Sequence, residues 1–209
     1  MYKTLAFDVD GTLLNTEMAL FLALQKTIRD IQGREVTYDD VSFFFGLAGS
    51  VTMKRLGVEN VDDAVNQWVN NTALFHDHVT IYDGVRNAMD TLLKNQTPMG
   101  VITSRLIAEM EPDFTDFDLN KYFKYRVCAE HTQKHKPNSE PMLKFLELAG
   151  VKPQDTIYVA DTIYDMQCAH SAGVDFAYVT WGVKSPDKAI IEQAKYTFDK
   201  PEQLITLVQ

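Results

Sequence analysis

The run Leu5-Ala6-Phe7-Asp8-Val9-Asp10-Gly11-Thr12-Leu13-Leu14 decides the fold of this chain. From Thr4 to Val9 the residues are mostly apolar without alternation, which predicts a short strand buried on both faces. The strand ends in two carboxylates one residue apart, and Gly11 then breaks it. Burying one carboxylate is costly, and burying two close together is worse unless a cation or a proton lies between them. On this stretch alone two readings stay open: a strand that stops in a solvated acidic turn, or a metal-linked acid pair at the mouth of a parallel sheet.

Outward from that run, the periodicity changes. Leu20, Leu24, Thr27, Ile28 and Ile31 share one face of a predicted helix over 18–31, closed by Gly33. A short helix follows Asp39-Asp40 and runs through Phe44-Phe45. Another covers about 50–56, and a third carries Val61, Ala64, Val65, Trp68 and Thr72 on one side. Nothing between Glu17 and about His78 resembles a strand. The expectation is a small α-helical domain over 17–81, inserted into a core made of 1–16 and 82–209.

After Tyr82-Asp83-Gly84-Val85 the pattern alternates. Val85, Met89, Leu92 and Leu93 mark a helix, and strands are predicted at 99–103, 125–129, 156–160 and 176–180. Helices are predicted at 139–149, 163–172 and 186–194, with a short edge strand at 196–198. Strands alternating with helices of this size imply an α/β fold, its parallel sheet covered on both faces.

In such sheets ligands bind outside the carboxyl ends of the strands. Those ends carry Asp8 and Asp10, Thr103-Ser104, and Asp161 with Asp165 four residues on. The loop after 125–129 carries Lys134 and Lys136. Each has an ordinary alternative. Thr103-Ser104 suits a helix cap, Asp161 and Asp165 suit the positive end of a helix dipole, and a loop lysine is usually solvated. Their common placement argues instead for one rim, where dense oxygen ligands call for a hard cation such as Mg²⁺.

Composition excludes several classes. A net charge of −9 over 209 residues argues against nucleic acid, which is held mainly by Lys and Arg. Cys128 and Cys168 lie in apolar segments without zinc or CxxC spacing, so buried reduced thiols are expected. Asp8 and Asp10 interrupt the early apolar run, which leaves no secretory signal pattern, and 18–24 is too short to cross a bilayer. The expectation is a soluble cytoplasmic protein with a small-molecule substrate, no membrane partner and no obligate protein partner evident.

With these residues in view, the chain resembles the haloacid dehalogenase superfamily, and within it the phosphatases with a helical cap inserted after the first strand. Asp8-Val9-Asp10-Gly11-Thr12-Leu13 matches the first motif, Thr103 the second, Lys136-Pro137 the third and Asp161-Thr162-Ile163-Tyr164-Asp165 the fourth. Ala172-Gly173 and Thr180-Trp181-Gly182 look like the phosphoglycolate phosphatase branch. One departure is Ala160, where the family usually has glycine before the fourth-motif aspartate.

The resemblance implies a Rossmann-like core and a Mg²⁺-dependent phosphatase working through an aspartyl phosphate. It implies Asp8 as nucleophile and metal ligand, and Asp10 as acid–base group that also offers its main-chain carbonyl to the metal. Asp161 would be a further metal ligand, with Asp165 behind it. Thr103 and the Ser104 N–H would hold the phosphoryl oxygens, and Lys136 would supply positive charge. Lys26, Arg29, Lys54 and Arg55 are candidate contacts for an anionic leaving group, although helix-surface charge is the favoured reading for most of them. Arg105, just after the second motif, is better placed on the active rim. His76 and His78 are favoured as hinge or surface residues. The nearest rival is a sugar-phosphate mutase with a second phosphate site in the cap. A dehalogenase, a phosphonate hydrolase, a non-catalytic module and a phosphorylation receiver fit less well. No GxGxxG follows the first strand to suggest a dehydrogenase.

Overall fold

The computed structural model describes residues 1–208. Strand β1 (Thr4–Phe7) lies at the centre of a six-stranded sheet. It pairs in parallel with β4 (Met99–Ile102) on one side and β6 (Thr156–Ala160) on the other. Outside these lie β5 (Tyr125–Val127) beside β4, then β7 (Asp175–Val179) and β8 (Tyr196–Phe198) beyond β6. The order β5-β4-β1-β6-β7-β8 reverses direction at β1, so the carboxyl end of β1 opens onto the crevice where such folds place ligands.

Both faces of β1 are buried, and its side chains alternate between two cores. Leu5 and Phe7 join Val85, Met89 and Leu92 of helix α5 (Val85–Lys94). Ala6 joins Tyr158, with Met142 and Phe145 of α7 (Glu140–Ala149) and Met166 and Ala169 of α8 (Ile163–Ser171). Ala160 is fully buried in this second layer, so its extra methyl is absorbed by packing.

The chain leaves the core along β2 (Leu14–Asn15) and returns along β3 (Thr80–Ile81), two short antiparallel strands. Between them lies the helical cap: α1 (Glu17–Gln32), α2 (Tyr38–Val41), α3 (Gly49–Arg55) and α4 (Val61–Thr72), then a 3-10 segment, Ala73–His78. It has its own apolar cluster, including Leu24, Ile28, Phe44, Met53 and Trp68. Ile31, expected on the buried face of α1, is 41% exposed because it lies at the helix end beyond that cluster.

One helix was not foreseen. Helix α6 (Ile107–Asp116) contains Pro112, whose missing N–H interrupts the usual helix signal. The strand expected at 125–129 stops at Val127, and the last helix is shorter than expected, α9 (Lys188–Gln193). Both thiols are buried and free, as the sequence indicated.

Candidate active site

Asp8 follows β1, and its N–H continues the ladder by donating to Val159 O at 3.0 Å. The backbone must then turn sharply. Gly11 adopts φ +77°, and its N–H donates to Leu14 O at 2.9 Å. A side chain on Gly11 would strike the Asp161 carboxylate and the Phe45 ring, so glycine is required both by conformation and by space.

The turn brings Asp8 against Lys136 and Asp165. Lys136 Nζ lies 2.8 Å from Asp8 Oδ1 and 2.7 Å from Asp165 Oδ1, and all three side chains are buried. Asp165 also accepts from the Tyr158 hydroxyl at 2.9 Å, from Thr162 N–H at 3.3 Å and from the Thr162 hydroxyl. It therefore caps α8 and braces Lys136. Asp161 accepts from the Thr12 hydroxyl at 3.1 Å.

Carboxylate oxygens of Asp8, Asp161 and Asp165 lie within 4.8 Å of one another. Three buried carboxylates thus face one ammonium. Burial pushes the Asp8 carboxyl up to about 7 against the pull of Lys136. Burial, with Asp8 and Asp165 nearby, raises Asp161 well above the usual range. Burial also opposes the Lys136 charge, but Asp165 and Asp8 outweigh it and raise the ammonium's pKa. An all-oxygen donor set with this excess of negative charge fits a hard divalent cation. Opposed ligands around octahedral Mg²⁺ stand about 4 Å apart, within the spacing seen.

Asp10 belongs to a second ionic group. Arg105 Nη2 donates to its Oδ1 at 2.6 Å, and Nε reaches both carboxylate oxygens, at 3.1 and 2.9 Å. The Thr16 hydroxyl adds a contact to Oδ1 at 2.5 Å. The other arm of Arg105 donates to Asp113 Oδ2 at 2.6 Å. Asp113 had no place in the sequence reading, because α6 was missed. The usable signal was Glu109, Asp113 and Asp116 at helical spacing behind Arg105.

Of the predicted phosphoryl-binding pair, Ser104 lines the cavity above Asp8, whereas Thr103 is buried at the end of β4 and its Oγ accepts from Arg105 N–H at 3.2 Å. The Ser104 hydroxyl donates to Gly46 O of the cap at 3.2 Å. The cavity, about 40 Å³, is lined by Asp8, Asp10, Ser104, Arg105 and Glu109 below and by Leu20, Phe44, Phe45, Leu47 and Trp68 from the cap. Lys26 and Arg29 are drawn into pairs with Asp30 and Glu35, and Arg55 stacks on Phe43. None of these, nor Lys54, lines the cavity. No helix among the described residues is long and apolar enough to cross a membrane.

Comparison with known proteins agrees with this arrangement. The family model for haloacid dehalogenase-like hydrolases matches residues 5–179. The pyrophosphatase PpaX of Anoxybacillus flavithermus is 25% identical, with 99% of this chain and 96% of that protein aligned. A crystal structure from Lactobacillus plantarum, described as a candidate phosphoglycolate phosphatase, superposes with a TM-score of 0.90 at 26% identity, covering 99% of both chains. A candidate β-phosphoglucomutase from Thermotoga maritima superposes with a TM-score of 0.75 over 100% of this chain and 98% of that one. At 23% identity that likeness speaks for the fold alone. The chain belongs to the haloacid dehalogenase-like hydrolases and is a phosphatase-type enzyme of that family.

Proposed function

We propose that the protein hydrolyses a small phosphorylated metabolite in the cytoplasm, phosphoglycolate-like or a sugar phosphate, through an aspartyl phosphate on Asp8. The observation that carries this reading is the buried Asp8 carboxylate at the end of β1, paired with Lys136 at 2.8 Å and facing the cavity. Asp8 attacks phosphorus, and the bond to the leaving oxygen breaks as the Asp10 carboxyl gives that oxygen a proton. Asp10 then takes a proton from the water that attacks the acyl phosphate, restoring Asp8. Lys136 balances charge on Asp8 and the phosphoryl group, while the Thr103 hydroxyl and Ser104 N–H bind phosphoryl oxygens.

Asp8, the main-chain carbonyl of Asp10, and Asp161 would hold Mg²⁺, with Asp165 behind them. Bound there, the ion would screen phosphoryl charge and act as a Lewis acid. Residues 17–81 would move as one cap over a core of 1–16 and 82–209, hinged near the β2–β3 pair, and closure would exclude bulk water. A mutase would need a second phosphate site in the cap. The cap residues over the cavity are apolar or aromatic, which favours the phosphatase.

Hydrolysis of p-nitrophenyl phosphate, with and without Mg²⁺, tests this reading. Asp8→Asn is expected to lower turnover by on the order of 10⁴-fold or more. Full activity in the variant, or indifference to metal removal, contradicts it.

A further inference from the structure

Arg105 stands beside the nucleophile's cavity, where an arginine is commonly taken for a receptor of an anionic leaving group. Its surroundings assign it differently. The side chain is 7% exposed, and each of its three nitrogens already has a carboxylate partner. Nε and Nη2 hold Asp10, and Nη1 holds Asp113 Oδ2 while also donating to Glu109 O at 3.2 Å. The backbone is equally fixed, since Arg105 O accepts from Ala129 N–H at 2.8 Å. Of its five N–H donors only one, on Nη2, lacks a protein partner among the described residues. A forked grip on an anionic leaving group would therefore require the guanidinium to abandon a carboxylate and leave it uncompensated.

The chain of contacts continues into the cap. The second oxygen of Asp113 lies 3.2 Å from His76 Nδ1, and His76 Nε2 lies 3.1 Å from Asp116 Oδ2. His76 belongs to the 3-10 segment through which the cap returns to the core. Asp113 and Asp116 sit on α6, immediately after the Arg105 turn. A planar fork that grips Asp10 on one side and Asp113 on the other transmits orientation in a way that a lysine, a single point charge, does not.

We propose that Arg105 is the positioning residue for Asp10. It fixes the acid–base carboxylate in one pose and, through Asp113 and His76, couples that pose to the seating of the cap. The assignment rests on the phosphatase reading with Asp10 as acid–base group.

The experiment compares kcat/KM across phosphate monoesters for wild type, Arg105→Met, Arg105→Lys, Asp113→Asn and Asp10→Asn, at saturating Mg²⁺, with thermal unfolding as a control for folding. The esters run from dinitrophenyl phosphate, whose leaving group needs no proton, through phenyl phosphate to ethyl phosphate. Phosphoglycolate and pyrophosphate supply anionic leaving groups. Arg105→Met is expected to lose more than about tenfold on ethyl phosphate and under about threefold on dinitrophenyl phosphate, with Arg105→Lys between it and wild type. Asp113→Asn should show the same dependence on leaving-group basicity with smaller amplitude, which keeps the test decisive if Arg105→Met fails to fold. In a further variant, Arg105→Ala, which leaves room for the added ion, guanidinium should restore part of the ethyl phosphate rate. A loss confined to phosphoglycolate and pyrophosphate would make Arg105 a leaving-group receptor and overturn the proposal, as would a loss uniform across all esters. If Asp10→Asn is crippled while the Arg105 and Asp113 variants match wild type, the positioning role alone fails. If wild type hydrolyses none of the esters, or Asp10→Asn is fully active, the phosphatase reading fails and the proposal falls with it.

Discussion

Two buried cations organise the cavity floor, and they are used differently. Lys136 bridges Asp8 and Asp165, yet Asp161 nearby leaves its group with three carboxylates to one ammonium. Arg105 bridges Asp10 and Asp113 and satisfies both with a directed fork. The first group is electrostatically incomplete and suited to take up a metal and a phosphoryl group. The second, with two carboxylates to one guanidinium, has less excess charge and directed hydrogen bonds to both, and is suited to hold one side chain still. The larger excess of carboxylate over cation suits a group that takes up a ligand; carboxylates held by a directed fork suit a group that keeps its geometry.

The sharpest way to break this contrast is to remove the lysine. Lys136→Met leaves Asp8 and Asp165 without their cation. Turnover is expected to fall on the order of 10²–10³-fold for every leaving group. Stability in denaturant titrations should fall by about 3–5 kcal/mol. A loss that instead tracked leaving-group basicity would erase the distinction between the two cations.

Gly11 tests the tight turn that carries Asp8 and Asp10 to their separate partners. Gly11→Ala combines a left-handed backbone with a collision against Asp161 and Phe45. It should cost at least about 1–2 kcal/mol of stability, read by denaturant titration, and raise the Mg²⁺ concentration needed for half-maximal activity. Unchanged metal titration would place Asp161 outside the ion's reach.

Glu109 probes the Arg105 side more gently. It caps α6 by accepting from Leu106 N–H, and burial raises its carboxyl to about 7, with Leu106 N–H and Arg105 opposing the rise. The folded state therefore holds the proton more tightly than the unfolded chain does. Stability should fall as pH rises from the ordinary carboxylate range towards 7, and flatten above it. Glu109→Gln should flatten that slope in thermal unfolding between pH 5 and 8, leaving the share due to Asp8 and Asp161. A slope unchanged by the substitution would mean that Glu109 is not held protonated.

The contrast also explains what the sequence made legible. The inner strands β1, β4, β6 and β7 were readable because each is a short, mainly buried run, whereas the two-residue strands β2 and β3 were too short to show. The rule that ligands gather at the carboxyl ends then collected Asp8, Asp10, Ser104, Lys136 and Asp161 on one rim. Asp165 was readable as a neighbour of the site, but its role as brace for Lys136 depends on the Tyr158 hydroxyl, a buried core contact that no local pattern reveals. Arg105 was visible as a rim residue, while its partner Asp113 was not. Pro112 hid the helix that carries it, and the pairing spans eight residues of chain folded back on themselves. The cap's lysines and arginines could be read as ligand contacts, with surface charge the favoured reading for most. The structure agrees with the latter: Asp30, Glu35 and Phe43 hold Lys26, Arg29 and Arg55 off the cavity.

The central claim is that Asp8 carries the phosphoryl group between two half-reactions. Rapid acid quench of the Mg²⁺-loaded enzyme turning over p-nitrophenyl phosphate, followed by peptide mass spectrometry, tests it directly. The account predicts one added phosphoryl group on the peptide containing Asp8, mapped to Asp8 itself and absent from Asp8→Asn. Turnover with an unmodified Asp8 peptide, or a phosphoryl group on any other residue, would contradict it.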